Sequence, residues 1–208
     1  MVNPYALESL PERCAALGEV VGLRGSRGFV VPWDTVQSSL QTELPSSYKA
    51  FIEYFGPGAF SEEFEYLTPG IANRGYELEF QVREEFNAAK RREEGRSGLS
   101  AGGLQFFPAP AGLLQLGSLP ADLVYWDTAE KDPDDWPIVV PDPAYGDYLI
   151  QYNGDIVSFI NALLAQDPSV DGLEYDPELI RVFAPDDGQH RGDPSFALKP
   201  VSYFAGTS

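Results

Sequence analysis

The sequence is poor in the side chains that catalysis most often uses: 208 residues hold one histidine, one cysteine and one methionine. A single cysteine excludes an internal disulfide framework and a cysteine-based zinc cluster. The histidine, His190, lies between Gln189 and Arg191-Gly192 near the chain end and reads as a solvated tail residue. Histidine catalysis depends on fixed geometry, which such a position does not supply. No apolar run approaches the roughly 20 residues that a membrane helix needs. The opening Met1-Val2-Asn3-Pro4-Tyr5 lacks a basic n-region and an apolar h-region, so no signal peptide is expected. These absences point to a soluble cytoplasmic protein.

Positive charge is also scarce. Against 32 acidic residues stand 14 Lys and Arg, a formal net charge of −18. Residues 1–100 hold 15 acids and 10 bases, whereas residues 101–208 hold 17 acids and 4 bases. Such a field opposes nucleic-acid or anionic-membrane binding, because phosphate contacts need Lys and Arg. It favours encounter with a basic protein partner through electrostatic steering. Acidity that merely serves solubility is the plain alternative.

What is present is enough to fold. Hydrophobic residues make up 43% and aromatic residues 13% of the chain, while 20 Gly and 18 Pro imply many turns. The length fits one domain, residues 1–208, able to bury roughly 70% of its unfolded surface without staples.

Residues 4–21 have helical spacing at Leu7, Leu10, Cys14, Leu17 and Val21. Arg24-Gly25-Ser26-Arg27-Gly28 reads as a connector, since no phosphate-loop pattern follows. Pro32 suits a helix start, and Trp33, Val36, Leu40 and Leu44 form one stripe. Pro45 ends that helix. Tyr48, Phe51, Ile52 and Phe55 mark the next, closed by Gly56. Phe60, Phe64, Tyr66 and Leu67 suggest a first strand after Pro57-Gly58. Leu78, Val82, Phe86 and Ala89 predict an exposed amphipathic helix within 72–94, with Glu79 and Arg83 as a favourable pair. Residues 97–112 read as a loop.

From Leu113 the pattern changes to short β-type runs: 113–116, 123–126, 138–140 and 148–152. Their connections are too short for helical crossovers, so a mainly antiparallel sheet is expected. Asn153-Gly154-Asp155 turns and caps a last helix with the face Ile156, Phe159, Ile160, Leu163 and Leu164. The acidic tail from 166 packs in part, through Leu179–Phe183 and Phe196–Leu198. Together these predict an α+β fold with helices on one face of the sheet.

The candidate chemistry is sparse. Cys14 reads as a small buried hydrophobe rather than a nucleophile. Gly56-Pro57-Gly58 follows a helix, not a strand, which is the wrong setting for a pyrophosphate loop. Asp127, Glu130, Asp132, Asp134 and Asp135 fall within nine positions, with Lys131 their only balancing charge. A calcium loop would require a glycine and register that this stretch lacks. A two-carboxylate hydrolase, a solvated hairpin and a loop for a cationic partner all remain open. Trp126 and Trp136 flank the cluster as core residues or as interface anchors.

Two stretches resemble the SUKH (Smi/Knr-like) superfamily. One is Trp33-Asp34-x-Val36, Leu44-Pro45-Ser46-Ser47-Tyr48-Lys49-x-Phe51 and Tyr54-Phe55-Gly56-Pro57-Gly58, with Pro69 about ten residues on. The other is Tyr125-Trp126-Asp127-Thr128, then Asp132-Pro133-Asp134-Asp135-Trp136-Pro137-Ile138-Val139-Val140, with Ile156 to Leu164 as the closing helix. The resemblance covers about residues 30–165, leaving the N-terminal helix and the tail from 166 as additions. It departs from the family pattern at Gln37, where a glutamate is usual. It implies a protein-recognition domain without catalytic residues, metal or cofactor. Bacterial relatives are immunity proteins that neutralise polymorphic toxins, often nucleases; fungal relatives are regulatory scaffolds. The expected function is therefore neutralisation of a basic toxin domain, with a regulatory module as the alternative. The acids expected to meet a partner are Glu62, Glu63, Asp127, Asp132, Asp134 and Asp135, beside Trp126 and Trp136.

Overall fold

Apolar residues three and four apart produce the helices α1 (Leu10–Val20), α2 (Trp33–Leu40), α3 (Ser46–Phe55), α4 (Leu78–Glu94) and α5 (Ile156–Ala165), and a single turn forms α6 (Pro177–Ile180). The strands are β1 (Gly58–Phe60), β2 (Phe64–Tyr66), β3 (Leu113–Ser118), β4 (Leu123–Asp127), β5 (Ile138–Asp142), β6 (Asp147–Tyr152) and β7 (Phe183–Pro185). This computed structural model describes residues 9–61, 63–94, 104–142 and 147–186.

The strands form one sheet in the order β6-β5-β4-β3-β2-β1-β7, and every pairing is antiparallel. The α+β class and the antiparallel sheet agree with the sequence. Alternation sorts the strand residues by face. Phe60, Phe64, Tyr66, Leu114, Leu116, Trp126, Ile138 and Ile150 join the main core, to which every helix contributes. Leu113, Tyr125 and Val139 point the other way and form a second cluster with Leu104, Phe106 and Tyr148. The segment 104–106, expected as plain loop, thus covers part of the helix-free face.

Within α3, Phe51, Ile52 and Phe55 are fully buried, and Phe51 lies 4.7 Å from the Phe55 ring and 4.8 Å from that of Tyr66. Val36 and Leu40 of α2 are buried as expected, but Trp33 is only half-buried. Its Nε1 donates to Glu53 Oε1 at 2.7 Å, and its ring meets Tyr48 edge-on. Gln37 closes the α2–α3 turn: its Oε1 accepts from Leu44 N at 3.0 Å and from Lys49 Nζ at 3.3 Å.

Several sequence expectations need correction. The helix read over 4–21 spans Leu10–Val20, started by Glu12 accepting from Ser9 N; residues 4–8 lie outside the described residues. It is no mere appendage. Cys14, Leu17 and Val21 enter the main core, and Arg13 grips Asp155 through two hydrogen bonds of 2.7 Å. Gly18 permits the α1–α3 approach, since a Cβ there would stand 2.9 Å from the Tyr54 ring. Burial pushes the Cys14 thiol up to about 11, which keeps it protonated and unreactive near neutral pH.

The single first strand is two, β1 and β2, forming a hairpin. In α4, Leu78, Glu79 and Val82 are buried, so its first turns are not exposed; the Ala89 side chain lies outside the described set. In the tail, Val170, Ile180 and Phe183 are buried and β7 pairs with β1, while Leu179 and Val182 face solvent. Phe196–Leu198 and His190 lie outside the described residues.

Replacing Phe51 by alanine removes a ring from the centre of this packing. A loss of about 3–5 kcal/mol in unfolding free energy is expected by urea denaturation. A loss below about 1 kcal/mol would contradict its burial.

Candidate functional site

The acidic stretch between β4 and β5 is an ordered loop. Asp127 Oδ1 accepts from Ala129 N at 3.0 Å, and Oδ2 accepts from Tyr148 OH at 2.8 Å. Pro133–Asp135 makes one tight helical turn, capped by Asp132 Oδ1 accepting from Asp134 N at 3.0 Å. Thr128 Oγ1 donates to Gly112 O, tying the loop to the start of β3.

Both flanking tryptophans belong to the interior. Trp126 is 2% exposed and meets Tyr48 edge-on at 5.0 Å. Trp136 is 6% exposed and donates from Nε1 to Glu130 O at 2.7 Å. Burial removes them as surface anchors; they hold the loop to the core instead.

Asp134 also has a structural task. Its Oδ1 accepts from Ser46 N, the first residue of α3, across 88 positions of sequence. Pro45 precedes that helix and offers no side-chain cap. A carboxylate from another segment supplies what the helix start lacks, and it also suits the positive end of the helix dipole. Asp135 and Glu130 make no such bond and face solvent.

Glu63 does not join this group. The register sets Glu65 opposite Ser118 and Asp127 opposite Leu113, so the β1–β2 turn and the β4–β5 loop lie at opposite ends of β3. Glu63 Oε2 accepts from Asp176 N at 2.8 Å, joining the turn to the start of α6. Glu62 lies outside the described residues. The structure therefore gathers Asp127, Asp132, Asp134 and Asp135, and leaves Glu63 apart.

A longer charge pattern emerges once the elements are placed. Between Lys131 and Arg181 no Lys, Arg or His occurs, while eleven acids do, from Asp132 to Glu178. They occupy the β4–β5 loop, the β5–β6 hairpin, the start of α5, the connection from α5 to α6 and the first turn of α6. Arg181 is itself engaged, 3.5 Å from Glu178. Among the described residues, no three His, Cys, Asp or Glu side chains group to hold a metal ion, and no helix is long and apolar enough to cross a membrane.

Two further acids are internal. Glu77 caps α4, accepting from Phe80 N at 2.7 Å and Gly70 N at 3.1 Å. Burial raises its carboxyl above the ordinary range, partly opposed by those amides. Glu79, 8% exposed, is likewise raised by burial.

Sequence reading also missed a cleft of about 350 Å³ lined by β1, β2, the loop that follows β2, and β7. Its residues come from three stretches with no shared motif, so no local signal marks it.

Fold and loops thus define an acidic α+β protein in which several acids cap helices and turns, Glu79 is buried, and others such as Glu130 and Asp135 face water. Comparison with protein-family models, with curated proteins and with solved structures finds no match to this chain.

Two substitutions separate the structural acids from the free ones. Asp134→Ala is expected to cost about 1 kcal/mol of stability through loss of the α3 cap. Asp135→Ala should stay within about 0.5 kcal/mol of wild type, as exposed substitutions do. Equal losses in parallel urea titrations would refute this division. Glu79 predicts a pH effect. Its folded-state value is raised, so its stabilisation is complete below the unfolded value and is lost as pH rises through the folded one. Relative to wild type, E79Q should gain stability as pH rises from about 4.5 to 7. A pH-independent difference would place Glu79 in water.

Proposed function

We propose that this chain is a SUKH-type immunity protein that acts in the cytoplasm by direct complex formation with a basic, nuclease-type toxin domain, and that it is a binding protein rather than an enzyme. The observation that carries the reading is the stretch between Lys131 and Arg181, with eleven acids and no base. A nuclease active site collects Arg and Lys to hold phosphate. An acidic surface laid over it competes for the same side chains. The family resemblance of residues 30–165 and the antiparallel α+β fold are consistent with this role.

The acids are unequal in this reading. Asp132 and Asp134 are held by the fold, whereas Glu130 and Asp135 project from the same loop with no such duty. Exposed charges at an interface rim act mainly on the association rate, and salt screens them beyond ~8 Å at physiological ionic strength.

The test pairs the chain with candidate basic toxin domains, taken first from genes adjacent to its own. Association should slow as salt rises. The double variant Glu130→Lys/Asp135→Lys should associate more slowly than wild type at low salt, and the gap should close at high salt. Association rates that are the same for both proteins at both salt concentrations would reject the role of this loop.

A further inference from the structure

Among the described residues, the helix-free side of the sheet is covered over only part of its width. Leu104 and Phe106 pack on β3 to β6, where Leu113, Tyr125, Val139 and Tyr148 form the second apolar cluster. In β1 and β2, Phe60, Phe64 and Tyr66 face the main core, as Phe183 does in β7, so Ala59, Glu65 and Ala184 point to the opposite face. A strand face turned to water ordinarily carries polar side chains. Here Ala59, Ala184 and Pro185 leave a low apolar floor, and Ile71 and Tyr76 stand beside it around the cleft of about 350 Å³. Glu65 is the carboxylate of this floor, with Oε1 accepting from Tyr76 OH at 2.9 Å.

The chain itself supplies an occupant. Asp186 lines the cleft and its N–H donates to Pro57 O at 3.0 Å, which fixes the exit of β7 at the cleft. Another 22 residues follow. Residues 187–195 hold no large apolar side chain, and residues 196–204 then read Phe-Ala-Leu-Lys-Pro-Val-Ser-Tyr-Phe. Phe196 and Leu198 are two apart, as are Val201 and Tyr203, the spacing that sets apolar side chains on one side of an extended segment. From Phe196 to Ser208 there is one base, Lys199, and no acid, in a chain of net charge −18. The segment brings no carboxylate to an acidic surface, and its lysine complements Glu65.

Tethering favours the contact further. The stretch from Asp187 to Phe196 can span up to about 33 Å, enough for the chain to turn back over its own exit. A short linker holds a segment at an effective concentration on the order of millimolar, so contacts too weak to hold a free peptide suffice. We propose that the segment Phe196–Phe204 lies as a strap across the β7-β1-β2 end of the helix-free face, with Phe196 and Leu198 in the cleft and Lys199 toward Glu65. This assignment goes beyond the toxin-binding reading and does not rest on it.

The test is NMR on the full chain. NOEs are expected from the Phe196 ring and the Leu198 methyls to the methyl groups of Ala59, Ile71 and Ala184. In a mixture of isotope-labelled and unlabelled chains they should arise within one chain. Phe196→Ser/Leu198→Ser should shift the amides of Ala59, Ile71 and Ala184, leave those of α3 in place, and speed hydrogen exchange at Val201 and Tyr203 at least about fivefold. Ile71→Ser, made on the cleft side, should speed the same two amides without altering the tail. Absence of the NOEs, or unchanged exchange at Val201 and Tyr203 in both variants, would overturn the strap. NOEs from the tail to the exposed Val20, Leu179 or Val182 would overturn it in favour of another patch. NOEs between chains would overturn it in favour of a second copy.

Discussion

The aromatic face of α3 lies on β1 and β2 through two buried tyrosines that act as cross-ties. Tyr48 OH donates to Leu67 O and Tyr66 OH donates to Gly56 O, each at 2.6 Å. Burial raises both phenols well above their ordinary range, so they remain neutral donors. A neutral donor on a backbone carbonyl satisfies a buried polar pair without a buried charge. Between the ties, Phe51 and Phe55 pack on Phe60, Tyr66 and Phe183. Gly56, with φ of 66°, then turns the chain from helix to strand, a conformation that glycine adopts at little cost. Other elements take their positions from this unit. α1 reaches it at Gly18, α5 through Phe159 on Phe64, and the β4–β5 loop through Asp134.

The acidic character of the protein divides along physical lines. Some carboxylates complete helix starts and turns: Asp155 for α5, Asp176 for α6, Asp134 for α3 and Asp132 for the adjoining turn. Asp155 does double duty, since it also pairs with Arg13. A helix start has unpaired N–H groups wherever it lies, so these acids serve folding whatever the protein binds. Exposed acids without such a bond, Glu130 and Asp135 among them, contribute to the external field, which reaches farther than contact and suits steering more than holding.

Much of the architecture was legible in local pattern. The stripes of α2, α3 and α5, the antiparallel meander and the Asp155 cap follow from spacings of two, three or four residues. The β1–β2 hairpin is hard to tell from a single strand in the sequence because its turn is short and Phe60 and Phe64, on either side of it, face the same core. The place of α1 was not legible because Arg13 and Asp155 are 142 positions apart. The tail was undervalued for the same reason: β7 has three residues, too few to show a period, yet it has β1 to pair with.

The acidic loop shows the division most sharply. By itself the sequence determined that Asp127 to Asp135 would carry excess negative charge between two β-type runs, because composition and alternation are properties of neighbouring residues. Only the tertiary structure decided what each residue of that loop would do. The closing of the sheet carried Asp134 to the start of α3, turned Trp126 and Trp136 inward and left Glu130 and Asp135 to the solvent. The cleft is the extreme case, assembled from residues 58–59, 65–76 and 184–186. Whether a polar group is paired depends on atoms within about 3 Å, and which atoms those are is settled when distant parts of the chain pack together.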